Sequence, residues 1–252
     1  MHNKFSIIAI IILAFILTSN DCAAQSNLKN WQFGASGGVF VYQGQLAPSA
    51  LGSYKTLKPT INLYFSRILT PSFSLRSNLA LGALKGEEAR YSEPAYRKER
   101  NLTFHTPVAE VSELFVWNLF GNSGDEIGNR ISPYIFAGVG LSFINVTRSS
   151  NINKVYFLRE PEVLAGLAAD YRVAPPKAIL VVPLGGGIEY YLNSKVSLTL
   201  ETNFRFTQTD YIDGFSKVAT GSKTKDYYQS HTIGFVYKFG KDNNLGCPVL
   251  KY

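Results

Sequence analysis

Catalysis needs nucleophiles, bases and charges held at fixed spacing, and this chain offers few of them. Of its three histidines, His2 lies in an apolar leader, which leaves His105 and His231 in the body of the chain. Ser230 directly precedes His231, and a lipid-modifying enzyme would need such a serine with a histidine and an acid. Adjacent strand residues point to opposite faces, so the two cannot readily cooperate. The Gly-x-Ser-x-Gly match at Gly34-Ala35-Ser36-Gly37-Gly38 lies within a strand segment rather than at a strand-to-helix elbow, and there is no zinc-spaced cluster or phosphate loop. No catalytic residue, metal ligand or cofactor is therefore assigned, and the chain is not expected to be an enzyme. The charges that stand out are Arg76, Glu189, Glu201 and Arg205, each isolated among small and polar neighbours. If they share a narrow interior they must pair, because an unpaired charge there is costly. The expectation is one salt-bridged network, with rigid packing preferred over a selectivity filter, and a substitution at Arg205 costing more than one at a loop arginine such as Arg97.

These charges sit on segments with the two-residue alternation of β-strands. Eight read as strands: about Trp31–Tyr42, Thr60–Ile68, Phe73–Leu84, Thr106–Leu119, Pro133–Asn145, Ile179–Leu192, Val196–Thr207 and Thr232–Phe239. One face of each is apolar, as in Phe73, Leu75, Leu79 and Leu81; the other is rich in Gly, Ser, Thr and Asn. Only the fourth is untidy, because Glu113 falls among Val111, Phe115 and Trp117, which predicts a bulge or an exposed end. The strands are long for a globular protein and close to the span of a tilted membrane strand. Aromatics at their ends (Trp31, Phe73, Phe115, Trp117, Tyr190, Phe239) suit interfacial girdles, and His231 suits a girdle position near the outer rim. The fold expected is an all-β, antiparallel transmembrane barrel of about eight strands, preferred over a soluble sandwich or lipocalin-like barrel. It is too narrow for an open pore.

Connections alternate between long and short. Long ones follow Gly44, Lys85, Val146 and Gln208, and a short helix over Leu164–Tyr171 fits inside the third. Long loops face outward and short turns face the periplasm in such barrels. An even strand count therefore puts Gln25 and the tail, 241–252, in the periplasm. Residues 1–24 read as a signal peptide: Lys4 supplies the positive end, Phe5–Leu17 is apolar apart from Ser6, and Cys22-Ala23-Ala24 fits a cleavage site. Lipidation at Cys22 is the alternative, disfavoured by Asp21. Cleavage leaves a barrel over 25–240 and one cysteine, Cys247, a candidate periplasmic partner contact. The formal net charge is +7. The basic residues are scattered rather than clustered with aromatics, so lipid headgroups are expected partners and nucleic acid is not.

The last strand, Thr232-Ile233-Gly234-Phe235-Val236-Tyr237-Lys238-Phe239, resembles the C-terminal signal of bacterial outer-membrane barrels: polar, any, glycine, any, any, hydrophobic, any, aromatic. Thr232, Gly234, Tyr237 and Phe239 are thus the expected contacts with the barrel-insertion machinery. Further stretches resemble the PorG-like outer-membrane barrels of type IX secretion systems. They are Trp31-Gln32-Phe33-Gly34-Ala35-Ser36-Gly37-Gly38 with Tyr42-Gln43-Gly44-Gln45-Leu46, then Pro133–Gly140, and most specifically Arg205-Phe206-Thr207-Gln208-Thr209-Asp210-Tyr211-Ile212-Asp213-Gly214-Phe215-Ser216. Asp210, Tyr211 and Asp213 match the family loop, whereas Gly214 replaces its second acid and Phe215 its valine. The Gly246-Cys247-Pro248 ending is similar to a tail common in the group. The resemblance implies a non-enzymatic barrel in the cell outer membrane, associated with a periplasmic lipoprotein ring of the secretion machinery. The alternative expectation is a small OmpA- or OmpW-like barrel for envelope integrity or minor solute passage.

Overall fold

The alternating segments form antiparallel strands in the computed structural model, which describes residues 30–49, 51–121, 130–220 and 226–239. The described strands are β1 (Trp31–Gln43), β2 (Lys58–Ile68), β3 (Phe73–Glu87), β4 (Leu102–Asn118), β5 (Ile131–Ile144), β6 (Thr147–Ser150), β7 (Ala178–Tyr191), β8 (Val196–Thr207) and β9 (Tyr227–Lys238). Eight of them close on themselves, in the order β1-β2-β3-β4-β5-β7-β8-β9 and back to β1. The short β6 lies outside that ring and extends the sheet beyond the end of β5, pairing with Leu102–His105 of β4. Closure gives every strand two hydrogen-bonded neighbours and leaves no free edge in the ring.

The barrel is inside-out for a soluble protein. Residues of even number on β2 to β5, and of odd number on β7 and β8, face a buried and largely polar interior. Their apolar neighbours face outward, with Ile61, Val139 and Phe235 each about 60% exposed. Such a belt with a fully paired backbone fits hydrocarbon rather than water. The protein is an outer-membrane β-barrel. At the short-turn end, Phe73 stacks on Phe115 at 5.2 Å, Arg67 lies over Trp31 at 6.0 Å, and Tyr237 meets Phe239 edge-on at 5.2 Å. Phe206 and Tyr227 pair at 5.5 Å near the opposite rim.

β4 departs from expectation. Its register with β3 and β5 is unbroken, so there is no bulge at Glu113. Ser77 lies directly opposite on β3 and donates a 2.7 Å hydrogen bond to the Glu113 carboxylate, which lets the acid stay in register on the outer face. β3, β4 and β9 also begin or end several residues beyond the alternating segments, because the added residues of β3 and β4 pair with each other and those of β9 pair with β1 and β8 above the belt. Among the described residues the loops carry three α-helices: α1 (Tyr96–Arg100), α2 (Pro161–Asp170), close to the expected position, and α3 (Lys217–Thr220). The expected signal peptide with Cys22, the expected start of the barrel domain at Gln25, and the expected periplasmic tail with Cys247 lie outside the described residues.

Candidate functional site

The inward side chains form three polar layers from the periplasmic to the outer end. In the lowest, Arg76 of β3 reaches across to Glu201 of β8 at 2.7 Å. The guanidinium lies 4.3 Å from the Tyr64 ring and 5.3 Å from that of Tyr134, whose hydroxyl donates to Glu201 at 3.0 Å. Glu189 is held separately, accepting from Ser197 and from Tyr191 at 3.3 Å.

The middle layer holds Arg205, 1% exposed, and Glu110, fully buried, at 2.7 Å. Tyr228 donates its one phenolic proton to Glu110 at 2.8 Å, so Ser142, 2.6 Å from the same oxygen, donates to Tyr228. Arg205 also donates to Ser230 Oγ at 2.8 Å and sits 5.1 Å from the Phe40 ring. The four charges expected to form one network are therefore divided. Arg76 and Glu201 pair, Arg205 takes Glu110, and Glu189 accepts from hydroxyls while lying within reach of the Arg76 and Lys238 charges without a direct bond to Arg76. Arg205 and Glu201 stand four residues apart on one strand, about 13 Å at the usual strand rise, too far to share a partner. Glu110 escapes the sequence reading because Glu113 dominates the alternation of β4. Its even-numbered parity with Ser112 is the signal that places it inside.

The upper layer is a plug made by the long loops. Ile212, Asp213 and Phe215 are fully buried in the barrel mouth among Phe40, Leu84, Phe104 and Ile144. Thr106 donates to the Ile212 carbonyl at 2.8 Å. Gly214 has φ +83°, which glycine adopts without strain, so a glycine where the PorG-like loop it resembles has an acid has a backbone reason. Asp210 accepts from Gln45 at 2.7 Å, and Tyr211 donates to Asp170 at 3.4 Å. Arg97 proves unsuitable as a free loop arginine: it is buried and donates to the carbonyls of Leu46 at 2.9 Å and Ala47 at 2.8 Å. Beside it, Arg100 pairs with buried Glu88 and donates to the Thr220 carbonyl at 2.7 Å.

Tyr42 is the chemical centre of this plug. Its hydroxyl lies 2.7 Å from Asp213 Oδ2 and 2.7 Å from Asp226 Oδ1. A phenol has one proton, so one of the two carboxyls must itself be protonated to satisfy both contacts. Burial pushes both acids up, Asp213 to about 7, and the Asp213 charge raises Asp226 further. Asp226 Oδ2 is buried with no partner among the described residues, as suits a neutral carboxyl.

Ser230 and His231 do not form a catalytic pair. Ser230 faces the lumen under Arg205, while His231 faces outward, bonded to Thr202 at 3.1 Å and stacked beside Tyr54. In β9, the strand of the expected assembly signal, Thr232 is buried inward and Tyr237 faces outward. The Phe239 N–H donates to the Trp31 carbonyl at 2.9 Å, extending the β9–β1 seam. Gly234 permits that seam, since a Cβ there would lie 2.4 Å from Ser36 Cβ.

No curated protein matches the sequence. Among solved structures, the chain is similar to the outer membrane protein OprG from Pseudomonas aeruginosa, with 12% identity and a TM-score of 0.45, covering 84% of this chain and 98% of that one. It is similar to Ail, the attachment invasion locus protein of Yersinia pestis, with 10% identity and a TM-score of 0.43, covering 83% and 97%. Neisserial surface protein A aligns at 14% identity and a TM-score of 0.42, covering 83% and 97%. The sequence match to a family model extends over residues 6–247, and the chain belongs to the family described as Domain of unknown function (DUF6089).

Proposed function

We propose that this chain is a non-enzymatic outer-membrane body that anchors or organises a periplasmic protein assembly, the type IX protein secretion machinery. The observation behind this reading is the filled lumen. Arg76–Glu201, Arg205–Glu110 and the Tyr42 plug block it at successive depths, leaving a rigid body rather than a route for solutes. The PorG-like loop from Arg205 to Ser216 supports the specific assignment, because its matching residues are stitched into that plug. Affinity purification from detergent-solubilised envelopes tests the reading. Stable co-recovery of the periplasmic lipoprotein ring is expected, and recovery of the barrel without ring components would overturn it.

A second reading is a small OmpA- or OmpW-like barrel that serves envelope integrity. It is favoured by the weight of described structure on the outer side, where the long loops and all three described helices lie. A deletion strain that secretes normally but loses resistance to detergents would select this reading.

A further inference from the structure

Glu113 stands out on the outer surface. It lies four strand positions above Trp117 of the periplasmic girdle and eight below His105 at the outer rim. Among the described residues it is the only carboxylate on the outward strand faces between those levels. Its neighbours on this face include Leu75, Leu79, Val111, Phe115 and Val139, all exposed. Ser77 donates to Glu113 Oε2 at 2.7 Å, and Oε1 has no donor among the described residues. Inside the barrel, Arg76 and Arg205 each meet a carboxylate, whereas Glu113 meets only a hydroxyl. An ionisable group facing hydrocarbon is expensive and ordinarily marks a functional contact.

We propose that the Ser77–Glu113 face of β3, β4 and β5 docks a second membrane protein, one that brings a lysine, arginine or amide donor to this depth. The charge and the open Oε1 call for a donor, and a polar pair buried between proteins escapes the cost of facing lipid. Another copy of this chain cannot supply that donor. Its outward cations and amides on the described strands lie toward the ends, Arg67 beside the periplasmic girdle and Lys85, Gln43 and Gln229 toward the outer rim, so a symmetric pair would oppose carboxylate to carboxylate. Headgroup amines are held at the interface, below this level. The proposal goes beyond periplasmic anchoring, because the contact lies within the bilayer and stands whether or not a ring binds below.

The test is photocrosslinking in intact cells, with a benzophenone amino acid at Val139, next to Glu113, or at Ile233, on another part of the belt. A discrete protein adduct is expected from Val139 and not from Ile233. Loss of one charge-assisted hydrogen bond should reduce that adduct by about tenfold or more in Glu113→Leu. Glu113→Gln, which keeps the shape, should also weaken it, and heat-modifiable migration on gels confirms that both variants fold. The adduct should contain a membrane-embedded lysine, arginine or amide residue, and replacing that residue should abolish it. The proposal is overturned by adducts with lipid alone, by an adduct with a second copy of this chain, or by an adduct indifferent to both Glu113 substitutions.

Discussion

Arg205 and Glu110 have the largest energetic consequence of any pair in the lumen. Both are withdrawn from water, so removing one strands the other. Arg205→Ala should cost about 3–5 kcal/mol, read as a lower urea midpoint for the folded barrel in detergent. The exposed loop residue Arg172 should tolerate the same change within about 0.5 kcal/mol. Replacing both partners, as Arg205→Met with Glu110→Leu, should recover most of the loss, because the cost belongs to the unpaired charge rather than to absence of the bridge. Equal midpoints for Arg205→Ala and Arg172→Ala would refute this account. Sequence parity alone is enough to place Arg76, Glu201 and Arg205 on the inner face. It does not say which carboxylate each meets, since partners such as Glu110 and Arg205, 95 residues apart, are brought together by the stagger of a closed sheet.

Among the elements, the strands are legible because a membrane barrel writes its two environments into every second residue. The plug is not. Tyr42 reaches Asp213 across 171 residues and Asp226 across 184, and no local pattern announces such contacts. The plug should respond to pH. Both acids bind a proton more tightly in the packed loop than when released, so the packed state holds more protons between about pH 4, where a free aspartate titrates, and about 7. Stability of the plug is therefore fully present below that window and falls as pH rises through it. The neighbouring charges Asp210 and Glu88 push in the same direction. Hydrogen exchange of residues 212–220, corrected for intrinsic rates, should show protection dropping by about tenfold or more from about pH 5 to about pH 8.5. Asp226→Asn supplies a permanent donor and should flatten the profile. Wild-type protection that ignores pH would count against the shared proton. The closing seam gives a separate test. Phe239→Ala keeps the backbone bond to Trp31 and removes only the ring that meets Tyr237, so if the terminal aromatic is the assembly signal the variant should lower the folded, heat-modifiable fraction in cells. An unchanged fraction would remove Phe239 from the assembly signal.

Taken as one body, the barrel is sealed by redundancy. The plug covers the mouth, yet Arg205–Glu110 and Arg76–Glu201 lie beneath it, each wedged between aromatic rings. That eight strands enclose only their own side chains follows from strand count, but the order of the seals emerges only in the structure. The order makes a prediction about conductance in planar bilayers. Wild-type protein should be closed to small ions, and replacing the 209–225 loop with a short Gly-Ser linker should leave it closed, because two charged layers remain. Only when Arg76→Ser and Arg205→Ser are added to the loop deletion should steady conductance appear. If the loop deletion alone conducts, the plug is the seal and the lower layers serve stability. If the triple change stays closed, side-chain packing elsewhere in the lumen suffices, and the paired charges there are dispensable to closure.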